Sequence, residues 1–235
     1  MTEHLSRGGH VRAACVIPWR PTKPDRIAHH ATVRRHLRRI LPEAFHIDAD
    51  SGHEPFSRAG SRNRGVRLAQ DVGCEVIVIN DADTLVEERP LLDAIEACTD
   101  GVMHLPYTRY RSLTRSGLAQ YRADKPLLDC EVDHDHEWAT GGVIVIQADA
   151  WWRAGGMDER MVGWGFEDSA YRVAADALLG PTVRHQGVIH HLWHRPEWNL
   201  GSAEYNANAE RMQRYVQAEG NAEAVKDVVR TIAEA

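Results

Sequence analysis

No stretch of this 235-residue chain approaches the roughly 20 apolar residues that would span a bilayer. The opening segment, MTEHLSRGGH, is polar and lacks the apolar centre of a secretory leader, so a cytoplasmic protein is expected. Cysteine is sparse: Cys15, Cys74, Cys98 and Cys130 lie far apart without a C-x-x-C pair and read as reduced thiols. Internal repeats and low-complexity segments are missing too. What is present is ordinary for a globular protein. Hydrophobic residues make up 43% and charged residues 26%, which excludes a disordered or fibrous chain.

The net charge of -6 is unevenly spread. Residues 1–70 carry 13 Lys and Arg against 6 Asp and Glu, leaving 15 against 28 for the remainder. A basic half can meet an anionic ligand. Arg34, Arg35, Arg38 and Arg39, however, fall on a helical pattern and read as its solvated face.

Strand and helix patterns alternate along the chain. Residues 13–19 (AACVIPW) are a short apolar run ended by Pro18 and Pro21, as in a buried first strand. A helix is expected over about 25–41, with Ile27, Val33, Leu37 and Ile40 on one face. A second strand at 46–48 (HID) ends in an acid. Residues 57–72 read as helix, 75–80 (EVIVIN) as a very apolar third strand, 91–98 as helix and 101–107 (GVMHLPY) as strand. Between 108 and 138 only loops and short helices are expected. A strand at 140–147, helices from 148 and over 167–179, and a closing strand at 183–192 follow. The tail, 203–235, reads as two polar helices broken near Gly220. This order implies an α/β fold with a mostly parallel central sheet flanked by helices.

Two constellations carry chemistry. Asp81 and Asp83 come directly after the third strand, at the end of the sheet where open α/β folds bind ligands. Carboxylates there suit a hard divalent cation that bridges to a diphosphate and neutralises charge on it as it leaves. The same residues would also serve a turn or helix cap before Glu87, with Asp81 or Thr84 capping. Far downstream, VIHHLWH (188–194) gathers His190, His191 and His194 after a strand. Imidazole beside carboxylate suits Mn²⁺ better than Ca²⁺. A zinc-hydrolase helix would need Glu after His190, and His191 stands there instead.

The second constellation is Gly155-Gly156-Met157-Asp158-Glu159 followed by Gly163-Trp164-Gly165-Phe166-Glu167-Asp168. Glycine permits positive φ and close backbone approach. Trp164 and Phe166 offer flat surfaces that stack on sugar rings. Glu167 and Asp168 open a helix, whose positive end favours carboxylates. An acid so placed can deprotonate an attacking hydroxyl, or be an ordinary N-terminal helix residue. Between Tyr107 and Arg122, basic and aromatic residues interleave. They suit a lid, an acceptor site, a polyanionic partner such as modified DNA, or a solvated loop.

The segment TGGVIVIQADAWWRAGGMDERMVGWGFEDSAYR resembles the carboxyl-terminal catalytic segment of the β-1,4-galactosyltransferases and their superfamily. SRAGSRNRGVRLAQ with IVINDADT resembles the helix and D-x-D segment of family 2-like GT-A glycosyltransferases. The resemblance spans roughly residues 13–195. It implies one GT-A domain over 1–235, with a nucleotide-sugar half at about 13–106, an acceptor half at about 107–195 and a helical tail at about 203–235. It implies Mn²⁺ (or another divalent cation) and a UDP-sugar donor, a hexose or N-acetylhexosamine. Asp83 matches the metal-ligating acid, and Asp81 the acid nearer the donor's ribose and sugar. Asp48 matches an acid that touches the nucleoside; Pro18, Arg20, Arg62 and Asn63 stand on the donor side. Trp164 matches the tryptophan between donor and acceptor, Glu167 the acid that holds acceptor hydroxyls, and Asp168 the general base. His191 matches the histidine completing the metal site, with His194 as its alternate or a diphosphate contact.

Two departures matter. The galactosyltransferases often continue E-D-D-D where this chain has Glu167-Asp168-Ser169-Ala170, so the acceptor, whether glycan, protein or modified nucleic acid, is unread. Retaining polypeptide transferases share the segment but place Asn after the Glu, so Asp168 favours inversion. A non-catalytic nucleotide-sugar-binding protein is the competitor from another class, and the presence of both Asp83 and Asp168 speaks against it.

Overall fold

Short apolar runs rich in Val and Ile become central strands, because a strand covered on both faces can bury every side chain. The computed structural model describes residues 12–195 and 200–233. The opening segment and the last two residues of the tail lie outside the described residues. In chain order the elements are β1 (Ala13–Pro18), α1 (Pro24–Ile40), β2 (Phe45–Ala49), α2 (Arg58–Asp71), β3 (Val76–Asn80), β4 (Thr84–Val86), α3 (Glu88–Ala97), β5 (His104–Leu105), β6 (Arg109–Leu113), α4 (Arg115–Arg122), β7 (Val132–His136), β8 (Val143–Gln147), α5 (Ala148–Arg153), α6 (Glu167–Leu178), β9 (Val183–Arg184), β10 (Val188–His191), α7 (Ala203–Ala218) and α8 (Ala222–Ala233).

Six strands form the central sheet in the order β2-β1-β3-β8-β5-β9. β1 runs parallel to β2 and β3, and β9 parallel to β5; β8 alone is reversed against both neighbours. The expected mostly parallel α/β sheet is therefore present. Its core is Ala14–Ile17 of β1, Val76–Ile79 of β3 and Val143–Ile146 of β8, with Trp151 fully buried on α5. Gly65 lets α2 sit tight on β1: a Cβ at that position would lie 2.1 Å from Val16 Cγ1.

A second, four-stranded sheet, β4-β10-β6-β7, differs from expectation. The closing strand at 183–192 is in fact two strands in two sheets, β9 in the central one and β10 in the small one. Gly187 turns the chain between them against Pro90 and the Pro106 carbonyl, where any side chain would clash. The stretch 108–138 is not only loops and helices, since β6 and β7 pair antiparallel there. Their polar sequence hides them. β6 gains its place by pairing with β10, a partner distant in the chain.

Other differences are local. The 101–107 strand shortens to His104–Leu105. The buried face of α1 carries His29 rather than Ile27, which is exposed. Arg34 is not part of a solvated face but half-buried against Asp48. The tail forms the two expected helices, and both pack on α6 through Tyr215, Ala218 and Val225. No helix among the described residues is long and apolar enough to cross a membrane.

Candidate metal and acid site

The turn after β3 is set by Asn80, whose buried side-chain amide donates to the carbonyls of Asp81 (2.8 Å) and Thr84 (2.9 Å). Thr84 then enters β4 and Glu87 precedes α3, so neither Asp81 nor Thr84 caps that helix. The turn presents Asp81 and Asp83 to different partners.

Asp83 is only 5% exposed. Its Oδ2 faces His194 Nε2 at 3.4 Å, His191 Nε2 at 3.6 Å and Arg26 Nη1 at 2.5 Å. Backbone pairing fixes this meeting: β10 runs antiparallel to β4 with His191 opposite Thr84, and Leu192 N–H donates to the Asp83 carbonyl at 2.8 Å. Burial alone would raise the Asp83 pKa, but His191, His194 and Arg26 outweigh it and hold the carboxyl well below its usual range. Burial lowers His191 and Asp83 raises it, with a net rise. One ligand atom from each of Asp83, His191 and His194 lies within 4.8 Å of the others. A carboxylate and two imidazoles suit a divalent transition metal such as Mn²⁺. His190 points away: it is buried beside Arg111, and burial and that charge lower its pKa to about 4.

Around Asp81 lies a second cluster, organised by Arg62. This guanidinium is buried and donates to Asp81 Oδ1 (2.6 Å) and Asp168 Oδ1 (2.7 Å), with Glu167 Oε1 at 3.5 Å. Arg58, one turn earlier on α2, pairs with Glu167 at 2.7 Å. Burial, followed by the neighbouring carboxylates Glu167 and Asp81, raises Asp168 to about 7 against the pull of Arg62. Glu167 is the opposite case, since Arg58 and Arg62 overcome burial and lower it. Two acids side by side thus differ in proton affinity.

The loop before α6 sets these carboxylates. Gly163 and Gly165 have positive φ, and so does Phe166, at 76°, a strained conformation for a side-chain-bearing residue. Its carbonyl accepts the first bond of α6 from Ala170 N–H at 2.8 Å. Across the site, Gly141 is a close approach: a Cβ there would stand 2.2 Å from Asp168 Oδ2. Tyr107 holds that strand entrance, its hydroxyl donating to the Gly141 carbonyl at 2.6 Å. Trp164 is 43% exposed and stacks on Tyr205 of α7, with centroids 5.9 Å apart.

The remaining candidates divide. Asp48 pairs with His30 (2.9 Å) and with Arg34, and His30 stacks on Trp19 at 4.2 Å. Pro18 is buried at the end of β1. Arg20 is held by Asp50 and Glu54. Asn63 is fully engaged inside the protein: it donates to the Met157 carbonyl and Glu159, and accepts from Trp151 Nε1 and Met157 N–H. Its visible role is to brace α2 against the 155–159 loop. Of the arginines between Tyr107 and Arg122, Arg109 and Arg111 share one carboxylate, that of Asp135. Arg26 and Tyr205 carry no sequence signal. Arg58, Asn80 and Gly141 lie within the motifs that carry the resemblance and Tyr107 opens the basic and aromatic stretch, but the sequence gives none of them a role of its own; Arg58 stands four residues before Arg62 on one helix face.

Fold and site together define a Rossmann-like α/β domain with an Asp/His₂ cluster and a carboxylate pair beyond the carboxyl end of the central strand β3. Among solved structures, a mutant Drosophila β-1,4-galactosyltransferase 7 in complex with manganese, UDP-Gal and xylobiose is similar at TM-score 0.56 and 17% identity, covering 84% of this chain and 79% of that one. The catalytic domain of Drosophila β-1,4-galactosyltransferase 7 with xylobiose gives 0.52 and 16%, with the same coverage. No family model and no curated protein matches the chain. The likeness is one of fold: this chain has the GT-A glycosyltransferase architecture.

Proposed function

We propose that the protein is a metal-dependent glycosyltransferase that moves a sugar from a UDP-sugar to an acceptor hydroxyl with inversion. The observation that carries the reading is the pairing of two unlike sites on one turn. Asp83 faces two histidines in a set that fits Mn²⁺, while Asp81, two residues away, shares Arg62 with Asp168. The galactosyltransferase of like fold is in complex with manganese and UDP-Gal in one of the two structures, which supports the same ligands here.

Asp83, His191 and His194 would hold the ion, which when bound supplies positive charge to a departing diphosphate. Arg62 fixes Asp168 through Oδ1, leaving Oδ2, against Gly141, as the oxygen for the acceptor proton. An acid raised to about 7 is well matched to proton abstraction near neutrality. Glu167, kept ionised by Arg58 and Arg62, is suited to accept hydrogen bonds from other acceptor hydroxyls. Trp164, exposed and braced by Tyr205, offers a stacking face for a sugar ring. The test is incubation with Mn²⁺ and a panel of nucleotide sugars, with slow donor hydrolysis measured. Hydrolysis of one UDP-sugar, lost without metal, is expected; no release from any donor, with no nucleotide binding, would overturn the reading.

A further inference from the structure

One charged contact belongs to neither the acid cluster nor the three metal-type ligands. Arg26, in the first turn of α1, reaches across to Asp83 and puts Nη1 2.5 Å from Oδ2. That is the same oxygen faced by His191 and His194. Arg26 comes from the first turn of α1 and the histidines from β10 and just beyond, and the three side chains are similarly exposed, at 25%, 23% and 17%. A buried carboxylate needs counter-charge, and Arg26 adds a permanent cation to the two imidazoles on the same oxygen. A divalent ion on Oδ2 and a guanidinium on Oδ2 exclude each other, by volume and by like charge.

We propose that Arg26 is a built-in cation that competes with the metal for Asp83 and, once displaced, pairs with the donor's diphosphate. The inference rests on the metal-dependent reading above. Its consequence is coupling. Ion entry alone strands Arg26 without an anion beside the ion, whereas ion and diphosphate entering together give each charge a partner. The only acid adjacent to Arg26 in its own turn, Asp25, is exposed and accepts from the Arg26 backbone N–H, so it is a poor substitute. Arg26 is thus a positioning residue that makes metal and nucleotide binding depend on one another.

The experiment is a Mn²⁺ titration of the full chain followed by the free-ion EPR signal, with and without UDP, for wild type, Arg26→Gln and Arg26→Lys. Asp83→Asn locates the ion read in the titration. The expected result is at least about tenfold tighter Mn²⁺ binding to Arg26→Gln in the absence of UDP, with the enhancement by UDP reduced by a similar factor (about 1.4 kcal/mol per tenfold). Arg26→Lys, keeping the charge, should stay near wild type. Equal affinities in wild type and Arg26→Gln under both conditions would overturn the role of Arg26 while leaving the metal site standing. Failure of every variant to hold Mn²⁺, even with UDP, would overturn both.

Discussion

Replacing Asp168 by Asn should make the protein more stable at pH 8 while destroying its turnover. The carboxyl is raised from 3.8 to about 7, first by burial and then by Glu167 and Asp81. Between about pH 4 and 7 the folded chain therefore keeps a proton that the unfolded chain has released, and stability falls as pH rises through that window. At about 1.36 kcal/mol per pK unit the ceiling is about 4 kcal/mol. The side chain is 24% exposed, so solvent screening trims this to about 1–3 kcal/mol. Asparagine keeps an oxygen for Arg62 and carries no charge to desolvate. Thermal melts without metal should show Asp168→Asn near wild type at pH 4 and roughly 2–12 °C above it at pH 8, at about 2–4 °C per kcal/mol for a chain of this size. Turnover should fall by about 10²–10⁴-fold, the usual value of a general base. Melting curves that track each other at every pH, or a variant less stable at pH 8, would refute the electrostatic argument. Unaltered turnover would refute the assignment of the base.

Three further outcomes are expected. Gly141→Ala, at a position without positive φ, should push the Asp168 carboxylate aside and cut transfer at least tenfold with little change in melting temperature; a kinetically silent variant would show that the close approach is irrelevant. Arg62→Met removes the shared cation of three acids and should cost about 3–5 kcal/mol by denaturant titration, with a larger loss at pH 8 than at pH 5 because Asp168 ionises between them. Asp83→Ala should abolish Mn²⁺-dependent UDP binding in calorimetry, and unchanged binding would remove Asp83 from the metal site.

The parts of the fold visible in the sequence are those where one strand or helix is apolar enough to announce itself. AACVIP, VIVIN and VIVIQ sit in the centre of the sheet because their burial needs no distant partner to predict. β6 and β7 were hidden for the converse reason. RYRSL and VDHDH are strands because β6 pairs with the distant β10 and then with β7, where Arg109 and Arg111 also meet Asp135, pairings no local pattern reveals. The acids and histidines of the candidate site were legible by residue type and order. Their partners were not: Arg26 and Tyr205 lie on helices remote in sequence from Asp83 and Trp164, and only the packing of α1 and α7 delivers them. Arg62 was legible as a site residue, but its place as a bridge between Asp81 and Asp168 was not.

The β4–β10 ladder makes the Asp83, His191 and His194 cluster a product of chain closure. His191 lies opposite Thr84, and Val188 N–H donates to Glu87 Oε2, 101 positions away in sequence. Contacts of such span form late, after nearer elements have already ordered. A nascent or refolding chain would own Asp83 long before it owned the imidazoles. On the proposed metal assignment, Mn²⁺ capture would report the docking of β10 on β4, readable in refolding experiments without donor, acceptor or product.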